Sequence, residues 1–203
     1  MLNHILFISI ILLIYIFFTV TIRESKNNVN VFISLVSFVL IMQSSLRNVG
    51  VGADTYAYYV DFETVKLMTW DDIFENFKRV YVYGDGKDAG FPLLEKCFQL
   101  FSNSYRAFLV FVAIIFFSSL SKLFKRYLNT YTDVLLATSL YLMLFYSFFS
   151  ITGIRQTISV ALSIHALLSL IDKKWIKYML FTIIAFFIHC KQKSPRFSQG
   201  DLN

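Results

Sequence analysis

Long apolar stretches without a charged side chain dominate this chain of 203 residues. The first of them, residues 2–22, covers about 20 residues, which is the length that an α-helix needs to cross the hydrocarbon core of a bilayer. Hydrophobic residues make up 57% of the sequence and charged residues only 16%, whereas soluble domains average about 45–50% and about 25%. The pattern predicts a helical membrane protein and excludes disordered, collagen-like and disulfide-rich folds.

Six apolar runs are predicted to span the membrane. The first run has no basic segment before it and no small-residue cleavage site after it, so we interpret it as a retained helix and not as a signal peptide. We expect an all-α integral membrane fold, a polytopic bundle of about five to six transmembrane helices in one domain over residues 1–190. The runs cover residues 2–22, 31–46, 105–121, 134–152, 156–171 and 178–190.

The sequence from 47 to 104 differs from the apolar runs and predicts a large extramembrane loop. It carries five of the seven glycines and most of the acidic residues. Thr69-Trp-Asp-Asp72 fits a capping box, and apolar side chains recur at helical spacing after it, so we expect an amphipathic helix over 70–81. A second apolar stripe runs from Phe91 to Phe101. The loop is therefore predicted to hold amphipathic helices that lie along the membrane surface.

The basic residues predict the orientation of the helices, because Lys and Arg in short loops stay on the cytoplasmic side. The loop after the fourth run holds only Arg155. We therefore expect the amino terminus and the 47–104 loop on the extracytoplasmic side. The loops after the first, third and fifth runs together hold eight basic residues: Arg23, Lys26, Lys122, Lys125, Arg126, Lys173, Lys174 and Lys177.

The sequence predicts neither a metal or disulfide site nor a nucleic-acid-binding surface. The two cysteines, Cys97 and Cys190, lie far apart and lack partners at zinc-ligand spacing, so we predict no metal site and no disulfide framework. The net charge of +6 is scattered between apolar runs and does not form a patch, so nucleic acid is not an expected partner.

The end of the sequence changes character abruptly. The run over 178–190 stops short of bilayer thickness, and residues 191–203 are polar without periodicity or a capping signal. We interpret the tail as disordered or non-native, and the sixth run as a span that is cut short by truncation or a frame shift.

Two arginines at predicted helix ends are the first candidates for chemistry. Arg47 follows the second run and Arg155 lies between the fourth and fifth, so the predicted topology puts both at the outer face. A planar guanidinium matches phosphate oxygens, and two of them suit a diphosphate. The alternative is that each arginine only reaches to lipid headgroups.

Short motifs near these arginines carry a resemblance to a known family. They follow one another in a set order along the chain, and the last of them is the Ile-His pair that ends at His189. In this order, over about residues 47–189, they resemble the EpsG family of exopolysaccharide and O-antigen (Wzy-type) polymerases. The remaining motifs consist of Arg47, Gly52, Asp54, Thr55 and Tyr58, then Asp88 before Gly90-Phe91, then Gly153-Ile-Arg-Gln156.

The resemblance implies a multi-pass protein of the bacterial inner (cell) membrane that joins oligosaccharide repeats linked to undecaprenyl diphosphate. The implied reaction is a glycosyl transfer that needs no nucleotide sugar, and no cofactor is expected. Implied partners are this lipid-linked oligosaccharide, membrane lipid and other polysaccharide-assembly proteins.

The resemblance also implies roles for the motif residues. Arg47 and Arg155 would stabilise charge on the diphosphate, and either Asp54 or His189 would be the general base. The other implied substrate-binding residues are Gly52, Tyr58, Asp88 and Gln156.

Two other functions are open on the sequence. Members of the family are normally longer, so the chain could be an inactive, truncated remnant or a non-catalytic membrane partner. A transporter or flippase subunit is the third reading, but it should show charged or glycine-broken span centres. No predicted span centre carries a charge.

Overall fold

The computed structural model describes residues 2–46, 54–84, 89–146, 148–149 and 153–189. Within these ranges the regular structure is helical, which confirms the predicted all-α fold. The predicted polar tail lies outside the described residues. The helices in chain order are α1 (Leu2–Thr21), α2 (Lys26–Ser45), α3 (Thr55–Leu67), α4 (Trp70–Tyr81), α5 (Gly90–Gln99), α6 (Tyr105–Tyr127), α7 (Tyr131–Leu144), α8 (Ile154–Ile171) and α9 (Trp175–His189).

Three helices, α2, α6 and α8, are long and apolar enough to cross a membrane, and shorter apolar stretches lie in α1, α7 and α9. The chain is therefore a multi-pass membrane protein. α2 begins at Lys26, ahead of the run predicted from residue 31, because the Ser25 hydroxyl accepts a hydrogen bond from the Asn28 N–H and caps the helix there. α7 ends at Leu144, within the predicted 134–152 span, and α8 begins at Ile154, next to Gly153, whose N–H donates to the Phe148 carbonyl (2.7 Å).

At one end of the bundle, polar contacts join the turn between α1 and α2 to the turn between α6 and α7. Lys26 Nζ donates to the Leu128 carbonyl (2.9 Å) and to Asn129 Oδ1 (2.8 Å). The Tyr131 N–H donates to Glu24 Oε1 (2.6 Å). These contacts bring the α1–α2 turn against the α6–α7 turn.

The α8–α9 turn lies at the same end. Asp172 pairs with Arg126 (2.6 Å) and with Lys174 (3.1 Å), and both cations hold the pKa of the Asp172 carboxyl below its usual value. We call these three turns the basic end. The loops after the first, third and fifth apolar runs, which hold most of the basic residues, thus lie at one end of the bundle. This is expected when successive spans cross the membrane in opposite directions.

The core of the bundle is aromatic. Phe18 of α1, Phe32 of α2 and Tyr131 of α7 are buried, with ring centroids 5.3–5.5 Å apart. α6 packs against both α2 and α8, and α8 packs against α9. Such edge and tilted ring contacts stabilise the bundle beyond the free energy gained from the apolar area that the helices bury.

The helices of the predicted loop lie at the opposite end, together with the starts of α6 and α8; we call this the loop end. The Tyr105 hydroxyl at the start of α6 donates to the Thr55 carbonyl at the start of α3 (3.3 Å). α4 is the predicted amphipathic helix, and its capping box is present: Asp72 Oδ2 accepts from the Thr69 N–H (2.7 Å), and Thr69 Oγ1 accepts from the Asp72 N–H (3.2 Å).

Gly90 lets α5 approach the end of α9 at backbone distance. A Cβ atom at Gly90 would lie 2.1 Å from the Phe187 carbonyl oxygen, closer than real Cβ atoms approach any heavy atom. The Tyr81 hydroxyl of α4 donates to the same carbonyl (2.9 Å). Three helices therefore meet at one carbonyl group of α9.

Replacing this glycine should separate these helices. We expect Gly90→Ala to destabilise the protein by about 1–3 kcal/mol, because the methyl group forces α5 away from a backbone that cannot bend aside. Thermal unfolding in detergent should show a lower midpoint. Ser104→Ala is the control, since Ser104 makes no side-chain capping bond at its helix start. An unchanged midpoint for Gly90→Ala would contradict the close approach.

Candidate functional site

The inner face of α3 is built from three side chains at helical spacing. Tyr58, Phe62 and Val65 are buried, and the Phe62 ring stacks on Phe108 of α6 at 5.3 Å between centroids. The Tyr58 ring meets Phe91 of α5 edge to face at 5.6 Å. This face therefore locks α3 between α5 and α6.

Polar side chains of α5 donate to carbonyl groups in the second half of α3 and just after its end. Lys96 Nζ donates to the carbonyls of Met68 (2.6 Å) and Val65 (3.1 Å), and Gln99 Nε2 donates to that of Phe62 (2.8 Å). The last carbonyls of a helix lack partners within the helix, and a cation there also suits the helix dipole. The two helices are therefore held in a fixed register.

Arg155, the second residue of α8, points into this aromatic framework. Its Nε donates to the Tyr58 hydroxyl (3.3 Å). Its guanidinium carbon lies 5.4 Å from the centre of the Tyr58 ring and 5.8 Å from that of Phe91. Ring faces attract cations at such distances. The half-buried guanidinium and the amino-terminal end of α8 place positive charge at the same point.

A cavity of about 230 Å³ lies beside Arg155. It is smaller than the about 300–1,000 Å³ of pockets that enclose a drug-sized ligand. Two carboxyl groups line it: Asp61 of α3, which is exposed, and Glu95 of α5, which is fully buried. The other residues that line it are Thr64, Val65, Met68, Phe91, Pro92 and Arg155.

The Glu95 carboxyl is the most unusual group of the site. Neither of its oxygens has a hydrogen-bond partner among the described residues. Burial, followed by repulsion from Asp61, raises its pKa to about 8, and attraction to Arg155 opposes the rise. Near neutral pH the group therefore holds its proton in most molecules.

Two of the predicted site residues, Arg155 and Tyr58, are in direct contact. Tyr58 is buried, whereas Tyr56 is 64% exposed. Asp54 is exposed just before α3, makes no capping bond and does not line the cavity. Gln156 points towards Gly153, where a Cβ atom would lie 3.2 Å from its Oε1 atom.

The other predicted site residues are not described in full. Arg47, Gly52 and Asp88 lie outside the described residues, so the predicted meeting of the two arginines stays a prediction. His189 is the last residue of α9, and only its backbone is described.

The sequence analysis missed Glu95 and Asp61. Glu95 lies on the apolar stripe of α5, four residues after Phe91 and three before Phe98, which places it on the buried face of a helix. An acidic residue at such a position is itself a signal, since carboxylates are seldom fully buried without a partner. Asp61 has no comparable signal, because it reads as a solvated residue of the loop.

A metal centre was not predicted. In the described ranges no three His, Cys, Asp or Glu side chains gather closely enough to hold a metal ion.

Fold and site define a polytopic α-helical membrane protein with an arginine and two carboxyl groups at its loop end. A family comparison goes further: residues 30–191, well over half of the chain, match the EpsG family. The chain belongs to the EpsG family. Neither the curated proteins nor the solved structures contained a match.

The buried carboxyl should make stability depend on pH. The pKa of Glu95 is higher in the folded than in the unfolded chain, so the proton stabilises the fold below about pH 4.5 and this stabilisation is lost as the pH rises through about 8. We expect Glu95→Gln, which cannot ionise, to gain stability over wild type by roughly 3–5 kcal/mol across that interval.

Unfolding in detergent at pH 5, 7 and 9 measures this difference. Glu75→Gln is the matched control, because Glu75 is exposed on α4. A gain for Glu95→Gln that is the same at all three pH values would show that Glu95 does not titrate as described.

Proposed function

We propose that this protein is a membrane polysaccharide polymerase that joins oligosaccharide repeats linked to undecaprenyl diphosphate, in exopolysaccharide or O-antigen biosynthesis. Membership of the EpsG family supports a polysaccharide-polymerising role. The observation that carries the proposal is Arg155, half-buried at the start of α8 and held against Tyr58 beside the cavity.

Arg155 is suited to a phosphate-bearing ligand. Its guanidinium offers several donors in one plane, and the start of α8 adds the positive end of a helix dipole. Tyr58 and Phe91 fix its direction, so little reorganisation is needed when charge develops. In a glycosyl transfer from a lipid diphosphate, negative charge grows on the leaving diphosphate, and fixed donors aimed there lower the barrier.

The orientation of the protein is part of the proposal. The loop end would face the extracytoplasmic side of a bacterial inner membrane, and the basic end the cytoplasm. The support is the clustering of Lys26, Arg126 and Lys174 in turns at the basic end. The donor and the acceptor would then meet where the lipid-linked repeat is displayed.

Arg47, Gly52, Asp88 and Gln156 stay proposed contributors to substrate binding. Asp54 and His189 stay the general-base candidates that the family resemblance implies.

The test replaces Arg155. We expect Arg155→Ala to lower polymerisation by about 100-fold or more, because one donor to the developing charge is lost. Arg155→Lys should recover only part of the activity, since the ammonium keeps the charge but not the planar fork. The assay measures growth of the polysaccharide in proteoliposomes. They contain the full-length protein and the lipid-linked oligosaccharide extracted from the cells that carry the gene for this protein.

Arg106→Ala is the matched control. Arg106 is also the second residue of a helix at the loop end, but it is exposed and does not line the Arg155 cavity. Chain growth that is equal in wild type and Arg155→Ala, or absent in folded wild type, would argue against the proposed function.

A further inference from the structure

We infer that Glu95 is the catalytic base of the proposed reaction, the group that takes the proton from the attacking hydroxyl of the acceptor sugar. The inference rests on the proposed function and adds to it a residue that neither the motifs nor the family match singles out. It offers Glu95 for the role that the family resemblance gives to Asp54 or His189.

The first support is the missing partner. Glu95 has no exposed surface, and neither carboxyl oxygen meets a donor in the described part of the chain. Leaving a buried polar group without a partner costs free energy, so such a group in a native protein calls for an explanation. A sugar hydroxyl that enters the cavity and displaces the side chains covering Glu95 would supply the missing donor.

The second support is the set of groups around Glu95. The charged groups that face it are Asp61 from α3 and Arg155 from α8. α3 also presents the Tyr58 phenol towards Arg155, and the α9 segment against α5 contributes Phe187 and Ile188, which carry no charge.

This environment suits proton transfer. With a pKa near 8, both forms of Glu95 are populated around neutral pH, and a general base works best when its pKa lies near the working pH. Arg155 keeps the charged form accessible in spite of burial.

The third support is position. Glu95 and Arg155 line the same small cavity. Because the cavity is small, only the reacting ends of the two substrates would enter it, the acceptor hydroxyl at Glu95 and the donor diphosphate at Arg155. Asp54, by contrast, is exposed and does not line the cavity.

The step balances without a further reactant. The acceptor oxygen forms a bond to the anomeric carbon of the donor. The bond from that carbon to the diphosphate oxygen breaks, and its electron pair leaves with undecaprenyl diphosphate at Arg155. The hydroxyl proton passes to the Glu95 carboxylate and is released to water on the side of the cavity where Asp61 and Thr64 are exposed.

The experiment measures chain growth by Glu95 variants of the full protein in proteoliposomes, between pH 6 and pH 9. Wild-type kcat should rise about tenfold per pH unit at low pH and level off above about pH 8. Glu95→Gln should lower kcat by about 100-fold or more, leave KM within about threefold and lose the rise with pH. Glu95→Asp should be slower than wild type but keep the rise.

The controls separate this inference from the proposed function. Gln has the shape of neutral Glu, so a purely structural Glu95 would tolerate it; a Glu95→Gln protein with wild-type kcat and pH profile would overturn the inference alone. A Glu95→Asp protein that is active but without the rise would do the same. Glu75→Gln, on the exposed face of α4, should match wild type throughout.

Discussion

The Arg155 guanidinium is the charge around which the loop end is arranged. Removing a cation from water is costly unless other groups replace its hydration. Here the Tyr58 hydroxyl accepts a hydrogen bond from it, and the rings of Tyr58 and Phe91 lie against it. Because these partners come from α3 and α5 while Arg155 belongs to α8, the contact exists only when three helices are in place.

The positions of those partners depend in turn on contacts that bind the short helices to one another. Lys96 of α5 donates to the Met68 carbonyl just after α3, and Gln99 donates to the Phe62 carbonyl within α3. Gly90 brings α5 against the Phe187 carbonyl of α9. Each of these contacts involves a backbone group, which leaves little freedom for adjustment. The loop between the predicted spans is therefore a packed part of the bundle, and its register decides the geometry around Arg155.

The two ends of the bundle differ in the environment of their carboxyl groups. At the basic end, Asp172 forms ion pairs with Arg126 and Lys174 that stay partly in water, an arrangement that contributes little to stability. At the loop end, Glu95 is buried without a hydrogen-bond partner among the described residues. The first arrangement suits orientation in the membrane, whereas the second stores unfavourable free energy beside a cavity, as functional sites often do.

The local pattern of the sequence determined most of the helical elements and the capping box of Thr69 and Asp72, because apolar periodicity and capping depend on residues a few positions apart. Arg155 became a candidate through its place between two predicted spans, and Tyr58 through the family resemblance. Only the tertiary structure decided that Arg155 contacts Tyr58, 97 residues away, and that Glu95 faces a cavity. The burial of a carboxyl, and hence its pKa, depends on which distant helices cover it, and that information is not local. The stripe from Phe91 to Phe98 showed which face of α5 is buried, but only packing against α3 and α8 turned that face into a site.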